Sequence, residues 1–174
     1  APEQFEAYAT ALHSSPWLPV VESGLLLLAV VHISLTMAKA MANRRAGNTA
    51  TLRSRRQSPL AALASRSTMV AGLVTLGFLV IHLCQLRWPR PAAGEEAATL
   101  IQVLQQPWNA VLYAAAAVAL ALHLLHGTEA AHRSLGWLTP ANSSALRAGA
   151  GVLAALISGG FLMISVLLAL GGVA

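Results

Sequence analysis

The sequence has few charged residues, few aromatic residues and almost no cysteine. Only 10% of its 174 residues are charged and 5% are aromatic, whereas 56% are hydrophobic. This composition excludes a disordered chain and an ordinary soluble domain, and it indicates a membrane protein. The single cysteine, Cys84, excludes an internal disulfide, and its place in an apolar segment predicts a buried thiol.

Four long apolar segments hold most of the hydrophobic residues. Each is long enough to cross a bilayer as a helix, which takes about 20 apolar residues. They cover residues 18–42, 69–88, 108–131 and 147–172. We therefore predict an all-α fold, a transmembrane helical bundle of four spans that occupies residues 1–174 as a single domain. At its start, residues 1–17 mix aromatic residues with polar ones, which predicts a short outer interfacial N-terminal helix.

Positive charge is concentrated between the first two segments. The connection 43–66 has no acidic residue, and it contains Arg44, Arg45, Arg53, Arg55, Arg56 and Arg66. The positive-inside rule places this loop in the cytoplasm, so by alternation residues 89–107, with Glu95 and Glu96, face outside and residues 132–147 face the cytoplasm. Because the net charge of +5 comes mostly from one loop, it does not indicate nucleic-acid binding.

Small residues recur in the last two segments. The alanine-rich run 114–121 and the glycines at 149, 151, 159 and 160 have little or no side chain. In membranes, such residues let helices approach one another closely. We expect them to mark surfaces where helices, or a flat cofactor, come into close contact.

Three histidines, His32, His82 and His123, lie inside three different apolar segments. An imidazole in hydrocarbon is costly unless it is paired, so each one indicates a functional site. Because they lie on separate helices, one bound group that the helices share is the simplest explanation. Haem fits best, since its iron accepts a histidine from each side. A hydrogen bond to a neighbouring helix is the alternative for each histidine taken alone.

The depth of each histidine predicts which of them share an iron. With a rise of about 1.5 Å per residue, His32 and His123 lie roughly 15 Å and 14 Å above the cytoplasmic ends of their spans. These two can face each other across one haem. His82 lies roughly 20 Å or more above that side, so it belongs to a level nearer the outside.

Two further residues are candidates for contacts with the cofactor. His126 lies one turn from His123, where it would support a haem propionate, replace His123 as ligand or bond a neighbouring helix. Arg66, at the start of the second span, would hold a propionate or contact lipid head groups.

Three motifs together resemble a known family. They are Glu22-Ser-Gly-Leu followed by His32, then Ser65-Arg66, Gly72 and Phe78-Leu-Val-Ile-His82-Leu, and last Pro107-Trp108 with Leu122-His123-Leu-Leu-His126-Gly127. In this order they resemble the membrane cytochrome b subunit of succinate dehydrogenases and fumarate reductases, in its single-subunit, five-helix, di-haem form. The similarity covers essentially the whole chain.

The resemblance implies the ligands and the cofactors. The four spans correspond to the second to fifth of the family, so His32 and His123 would bind one haem b. His82 would bind a second haem b together with a histidine outside this sequence, on the family's first span. We expect that span in a missing N-terminal segment; a separate polypeptide or a single-haem member are the alternatives.

The resemblance also implies partners and function. Flavoprotein and iron–sulfur subunits would dock on the cytoplasmic face of a bacterial inner membrane, and the chain would transfer electrons between them and quinone as a subunit of succinate:quinone oxidoreductase. It would not bind the dicarboxylate itself. The alternatives are the cytochrome b anchor of a hydrogenase or formate dehydrogenase, and a haem-free structural anchor or small transporter.

Overall fold

The computed structural model describes residues 2–47 and 58–171, and this part of the chain is helical without strands. Its six helices are α1 (Pro2–His13), α2 (Leu18–Arg45), α3 (Pro59–Arg87), α4 (Glu96–Gln105), α5 (Pro107–Ser134) and α6 (Ser143–Ala169). Helices α2, α3, α5 and α6 are long and apolar enough to cross a membrane. The prediction of an all-α bundle with four candidate spans and an N-terminal helix is confirmed.

The ends of the helices follow from proline, serine and glycine. Proline lies in the first turn of α2, α3 and α5. Backbone N–H groups in the first turn have no acceptor within the helix, so the missing N–H of proline costs no hydrogen bond there. Ser58 caps α3, and its hydroxyl oxygen accepts from the amide of Ala61 at 3.5 Å. Gly47 and Gly136 both have φ of +73°, and this left-handed conformation stops α2 and α5.

Helix α3 begins ten residues before the predicted start of the second span at residue 69. Its first turns are less apolar than the rest, so hydropathy alone placed them in the loop, whereas Ser58 and Pro59 are a helix-start signal. Arg66 therefore lies on α3 rather than in a loop. Arg53, Arg55 and Arg56 lie outside the described residues.

The described chain forms two compact units. The first comprises α1, α2 and the segment Ala93–Ala97. In it, the carboxylate of Glu6 on α1 accepts a hydrogen bond from the amide of Ala97 at 2.7 Å. Helix α2 has no buried residue.

The second unit contains α3, α5 and α6, which pack through alanine. Its buried alanines are Ala64, Ala71, Ala116, Ala117, Ala119, Ala150 and Ala154. This confirms that the run 114–121 marks a close helix contact. The same prediction for glycines 149, 151, 159 and 160 is wrong for helices, because within the described residues a Cβ at any of them would meet nothing within 4 Å. A different glycine, Gly72, has a close neighbour.

Two other expectations need correction. Residues 89–107 are not a simple loop, because they contain α4, which starts with an acidic residue suited to a helix N-terminus. Cys84 is exposed rather than buried. It lies two residues from His82, and positions two apart point to nearly opposite sides of a helix. Since His82 faces α5, Cys84 faces away from that contact.

Candidate functional site

Helices α3 and α5 run antiparallel, and three residue pairs define their register. Gly72 meets His123, His82 meets Tyr113, and Gln85 meets Asn109. Gly72 and His82 are ten residues apart, so His82 and His123 are offset by about 15 Å along the helices. This exceeds the offset expected from the span boundaries, because α3 begins earlier than predicted. The two histidines occupy different levels of the pair.

His123 lies directly over Gly72. A Cβ added at position 72 would come within 3.1 Å of Cε1 of His123 and within 3.3 Å of Nδ1. Glycine is thus the residue type that leaves full room for the imidazole here. The His123 ring therefore lies close against the backbone of α3 at this position.

His82 is the start of a chain of side-chain hydrogen bonds. Its Nδ1 lies 3.1 Å from the hydroxyl of Tyr113, which donates to Oε1 of Gln85 at 3.1 Å. Nε2 of Gln85 donates to Oδ1 of Asn109 at 2.9 Å, and Nδ2 of Asn109 donates to the carbonyl oxygen of Val103 at 2.9 Å. We call these four side chains and this carbonyl the His82 network.

A group of aromatic rings encloses the His82 network on one side. The ring centroid of Tyr113 lies 4.8 Å from that of Phe78, edge to face, and 5.9 Å from that of Phe161, stacked. Phe78 also lies 5.6 Å from the imidazole of His82. Tyr113 is only 1% exposed. Its hydroxyl is therefore held where it contacts His82, with little access for competing water.

A π-helical turn, Leu83–Arg87, follows His82 immediately and carries Gln85. Such turns are rare and are found mostly inside α-helices at functional sites. Its place at the His82 network makes this end of the α3–α5 pair the leading candidate for a functional site.

A second polar group lies towards the other end of α5. Glu129 is 3% exposed, and its Oε1 accepts a hydrogen bond from Nη2 of the exposed Arg133 at 2.7 Å. Glu129 was not among the residues that the sequence patterns indicated. The signal that would have found it is a carboxylate in an apolar segment four residues before an arginine, the spacing of a helical ion pair.

The remaining predicted site residues, His32, His126 and Arg66, belong to two different compact units. His32 lies mid-way along α2 and is exposed, and its carbonyl oxygen accepts from the hydroxyl of Thr36 at 2.7 Å. His126 is half-buried on α5, one turn beyond His123, and Arg66 is exposed on α3. Since His32 belongs to the first compact unit and His123 to the second, their pairing stays a prediction.

Tyr113, Gln85 and Asn109 were also not among the residues that the sequence patterns indicated. Each is an ordinary polar residue near the end of a span, where polar side chains are common. Only the register of α3 against α5 joins them to His82. A usable signal is the spacing of Phe78, His82 and Gln85, which places all three on one face of α3.

Outside the spans, α1 and the segment Ala93–Ala97 share a carboxylate cluster, which we call the α1 clasp. Glu96 is 8% exposed, and its Oε1 lies 3.3 Å from Nδ1 of His13. The hydrogen bond with Glu6, followed by bonds from the backbone amides of Glu96 and Gly94 and by His13, lowers the pKa of Glu96 to about 2, although burial opposes this shift. The clasp is therefore a charged site at ordinary pH.

No group of three or more histidine, cysteine or acidic side chains in the described ranges is arranged to hold a metal ion directly. A haem does not need such a group, because its porphyrin supplies the other ligands and the protein supplies only the axial ones. The chain matches no family model, no curated protein and no solved structure.

Proposed function

We propose that this chain is a membrane cytochrome b that anchors a succinate dehydrogenase or fumarate reductase in a bacterial inner membrane. In this proposal it transfers electrons through haem b between the iron–sulfur subunit and quinone. The observation that supports the haem in this proposal is the state of His82, whereas the choice of enzyme rests on the order of the sequence motifs. Its Nδ1 is engaged by Tyr113, so Nε2 is the nitrogen that remains for a ligand. Histidines that bind metals are characteristically held in this way through their other ring nitrogen.

The residues present suit a haem in three respects. His82 is oriented through one nitrogen by a buried partner, and His123 lies where a glycine gives its ring room. His82 and His123 are offset by about 15 Å along the helices, which suits two haems at two levels rather than one. When bound, haem b supplies one-electron transfer.

Each histidine has a distinct part in the proposal. His82 would ligate one haem with a histidine from outside this sequence, and His123 would ligate the other with His32. Arg66 is exposed and positively charged, so it would pair with a propionate. His126, one turn from His123, would support the same haem by hydrogen bonding.

A visible absorption spectrum of the purified protein tests the proposal. We expect a reduced-minus-oxidised difference spectrum with the α-band of a b-type cytochrome. Purification in a mild detergent should retain flavoprotein and iron–sulfur subunits, and these identify the enzyme. The absence of any α-band would overturn the cytochrome assignment and favour a haem-free anchor or a transporter. An α-band with hydrogenase or formate dehydrogenase subunits would keep the cytochrome and change the enzyme.

A further inference from the structure

We infer that Tyr113 is a positioning residue that holds His82 in the tautomer with its proton on Nδ1, and so makes Nε2 the nitrogen that binds a ligand. The identity of the bound group as haem iron rests on the proposed function. The tautomer of His82 does not depend on it. A single backbone group at the far end of the His82 network sets the direction of its hydrogen bonds.

That group is the carbonyl of Val103. It belongs to the last four carbonyls of α4, which have no partner within their own helix. A carbonyl oxygen only accepts, so Asn109 must turn its NH2 group towards Val103 and its Oδ1 towards Gln85. One end of the network therefore has a fixed direction.

The direction then passes along the network one side chain at a time. Since Oδ1 of Asn109 accepts, Gln85 must present its NH2 group there and its Oε1 to Tyr113. Oε1 accepts, so the hydroxyl proton of Tyr113 is committed to Gln85. The hydroxyl oxygen is then left to accept, and Nδ1 of His82 must be the donor.

Burial keeps this arrangement in place. Tyr113 is 1% exposed and its ring packs against those of Phe78 and Phe161, so water has little access to its hydroxyl. A buried donor or acceptor without a partner costs about 1–3 kcal/mol, which disfavours any reversal at a single link.

The His82 network orients the imidazole and does not conduct protons. Its middle links are the amides of Gln85 and Asn109, and a neutral amide does not readily pass on a proton. In water a neutral imidazole favours the proton on Nε2, so a preference for Nδ1 at position 82 is a measurable departure caused by the protein.

Nitrogen-15 NMR of histidine-labelled protein in detergent tests the tautomer, at a pH well above the usual histidine pKa. The His82 signals are identified by their loss in His82→Gln. In protein purified without haem we expect the proton on Nδ1. Tyr113→Phe removes the acceptor and keeps the ring, so the proton should return mainly to Nε2. Tyr8→Phe, on an exposed tyrosine of α1, is the matched control and should change nothing.

A second variant separates positioning from packing. Gln85→Leu leaves Tyr113 in place and removes the acceptor of its hydroxyl proton. The hydroxyl is then free to donate to Nδ1, so His82 should reverse to the Nε2 proton. A purely structural tyrosine would give no such reversal. A proton on Nε2 in the unaltered protein, or on Nδ1 in both variants, would overturn the inference.

If the purified protein carries haem, the midpoint potential replaces the tautomer as the readout. The hydrogen bond from Nδ1 makes the imidazole a stronger electron donor to iron, so its loss in Tyr113→Phe should raise the potential of one haem and leave the other unchanged. Unchanged potentials for both haems would overturn the inference. A protein without haem but with the Nδ1 proton on His82 would refute the proposed function and keep the role of Tyr113.

Discussion

Two histidines of the α3–α5 pair are held in different ways. His82 is oriented by a directed series of hydrogen bonds that ends on a helix carbonyl. His123 is seated on Gly72 by contact with the backbone of α3. Hydrogen bonding determines which ring nitrogen of His82 is available, whereas the glycine gives the His123 ring room against α3. The same pair of helices thus controls the protonation of one imidazole and the position of another.

The difference follows from where each histidine lies along the helices. Near a helix end, unpaired carbonyls such as that of Val103 are available to side chains. In the middle of a spanning helix, every backbone group is already bonded within the helix. A small residue opposite a histidine at mid-helix, such as Gly72 opposite His123, lets its ring approach the neighbouring helix closely.

The largest expected effect comes from removing each histidine in turn. If the proposed function holds, His82→Ala and His123→Ala should each lose about half of the bound haem, and His32→Ala should lose the same haem as His123→Ala. Pyridine haemochrome content relative to protein mass measures this loss. His126→Ala is the control and should keep the full content with a shifted potential. Full haem content in both His32→Ala and His123→Ala would refute their pairing.

Alanine in place of Gly72 should disturb the contact between His123 and α3 and leave the His82 network unchanged. Gly77 lies five residues further along α3, and a Cβ added there would meet nothing within 4 Å, so Gly77→Ala is a matched control. Both changes bring the same gain in helix propensity. Crowding of His123 should leave Gly72→Ala less stable than Gly77→Ala by about 1–3 kcal/mol, measured by unfolding in detergent. Equal stabilities would show that the His123 ring moves away without cost.

Leucine in place of Asn109 should disturb the His82 network and leave the contact between His123 and Gly72 unchanged. The substitution removes the groups that bond Val103 and Gln85, and it leaves a carbonyl and an amide without their partners. We expect a loss of stability of about 1–3 kcal/mol and a mixture of His82 tautomers. The exposed Gln102 offers the control Gln102→Leu, which should leave stability within about 0.5 kcal/mol. An unaltered tautomer in Asn109→Leu would mean that the carbonyl of Val103 does not set the direction of the hydrogen bonds in the His82 network.

The smallest expected effect concerns the α1 clasp, which contains ionisable carboxylates, whereas the His82 network contains none. The pKa of Glu96 is lowered from 4.5 to about 2, so the ionised carboxylate stabilises the clasp fully above pH 4.5. That stabilisation is lost as the pH falls from 4.5 towards 2. Spin labels at Ala7→Cys and Ala93→Cys, with Cys84 replaced by alanine, should therefore separate on acidification.

Glu96→Gln provides the control for this measurement. It removes the titrating group, so the distance between the labels should no longer change with pH in that range. A distance that responds to acid equally in Glu96→Gln would assign the effect to another group.

Predictions from the sequence succeeded where they depended on properties summed along the chain, and failed where they depended on which side of a helix meets a neighbour. The four spans were predictable because bilayer thickness sets a length and hydropathy adds up along the chain. Cys84 and the four glycines were misjudged because each prediction assumed which side of a helix meets a neighbour. Helix α4 was missed because it is short and begins and ends within a segment rich in loop residues.

Length and apolar composition were enough to establish an all-α chain with four candidate spans and to single out its histidines. The partners of those histidines were decided by tertiary structure. A spanning helix is apolar around most of its circumference, so its sequence carries little information about rotation or register. Packing of α3 on α5 sets that register, and with it the meeting of His82 with Tyr113 and of His123 with Gly72.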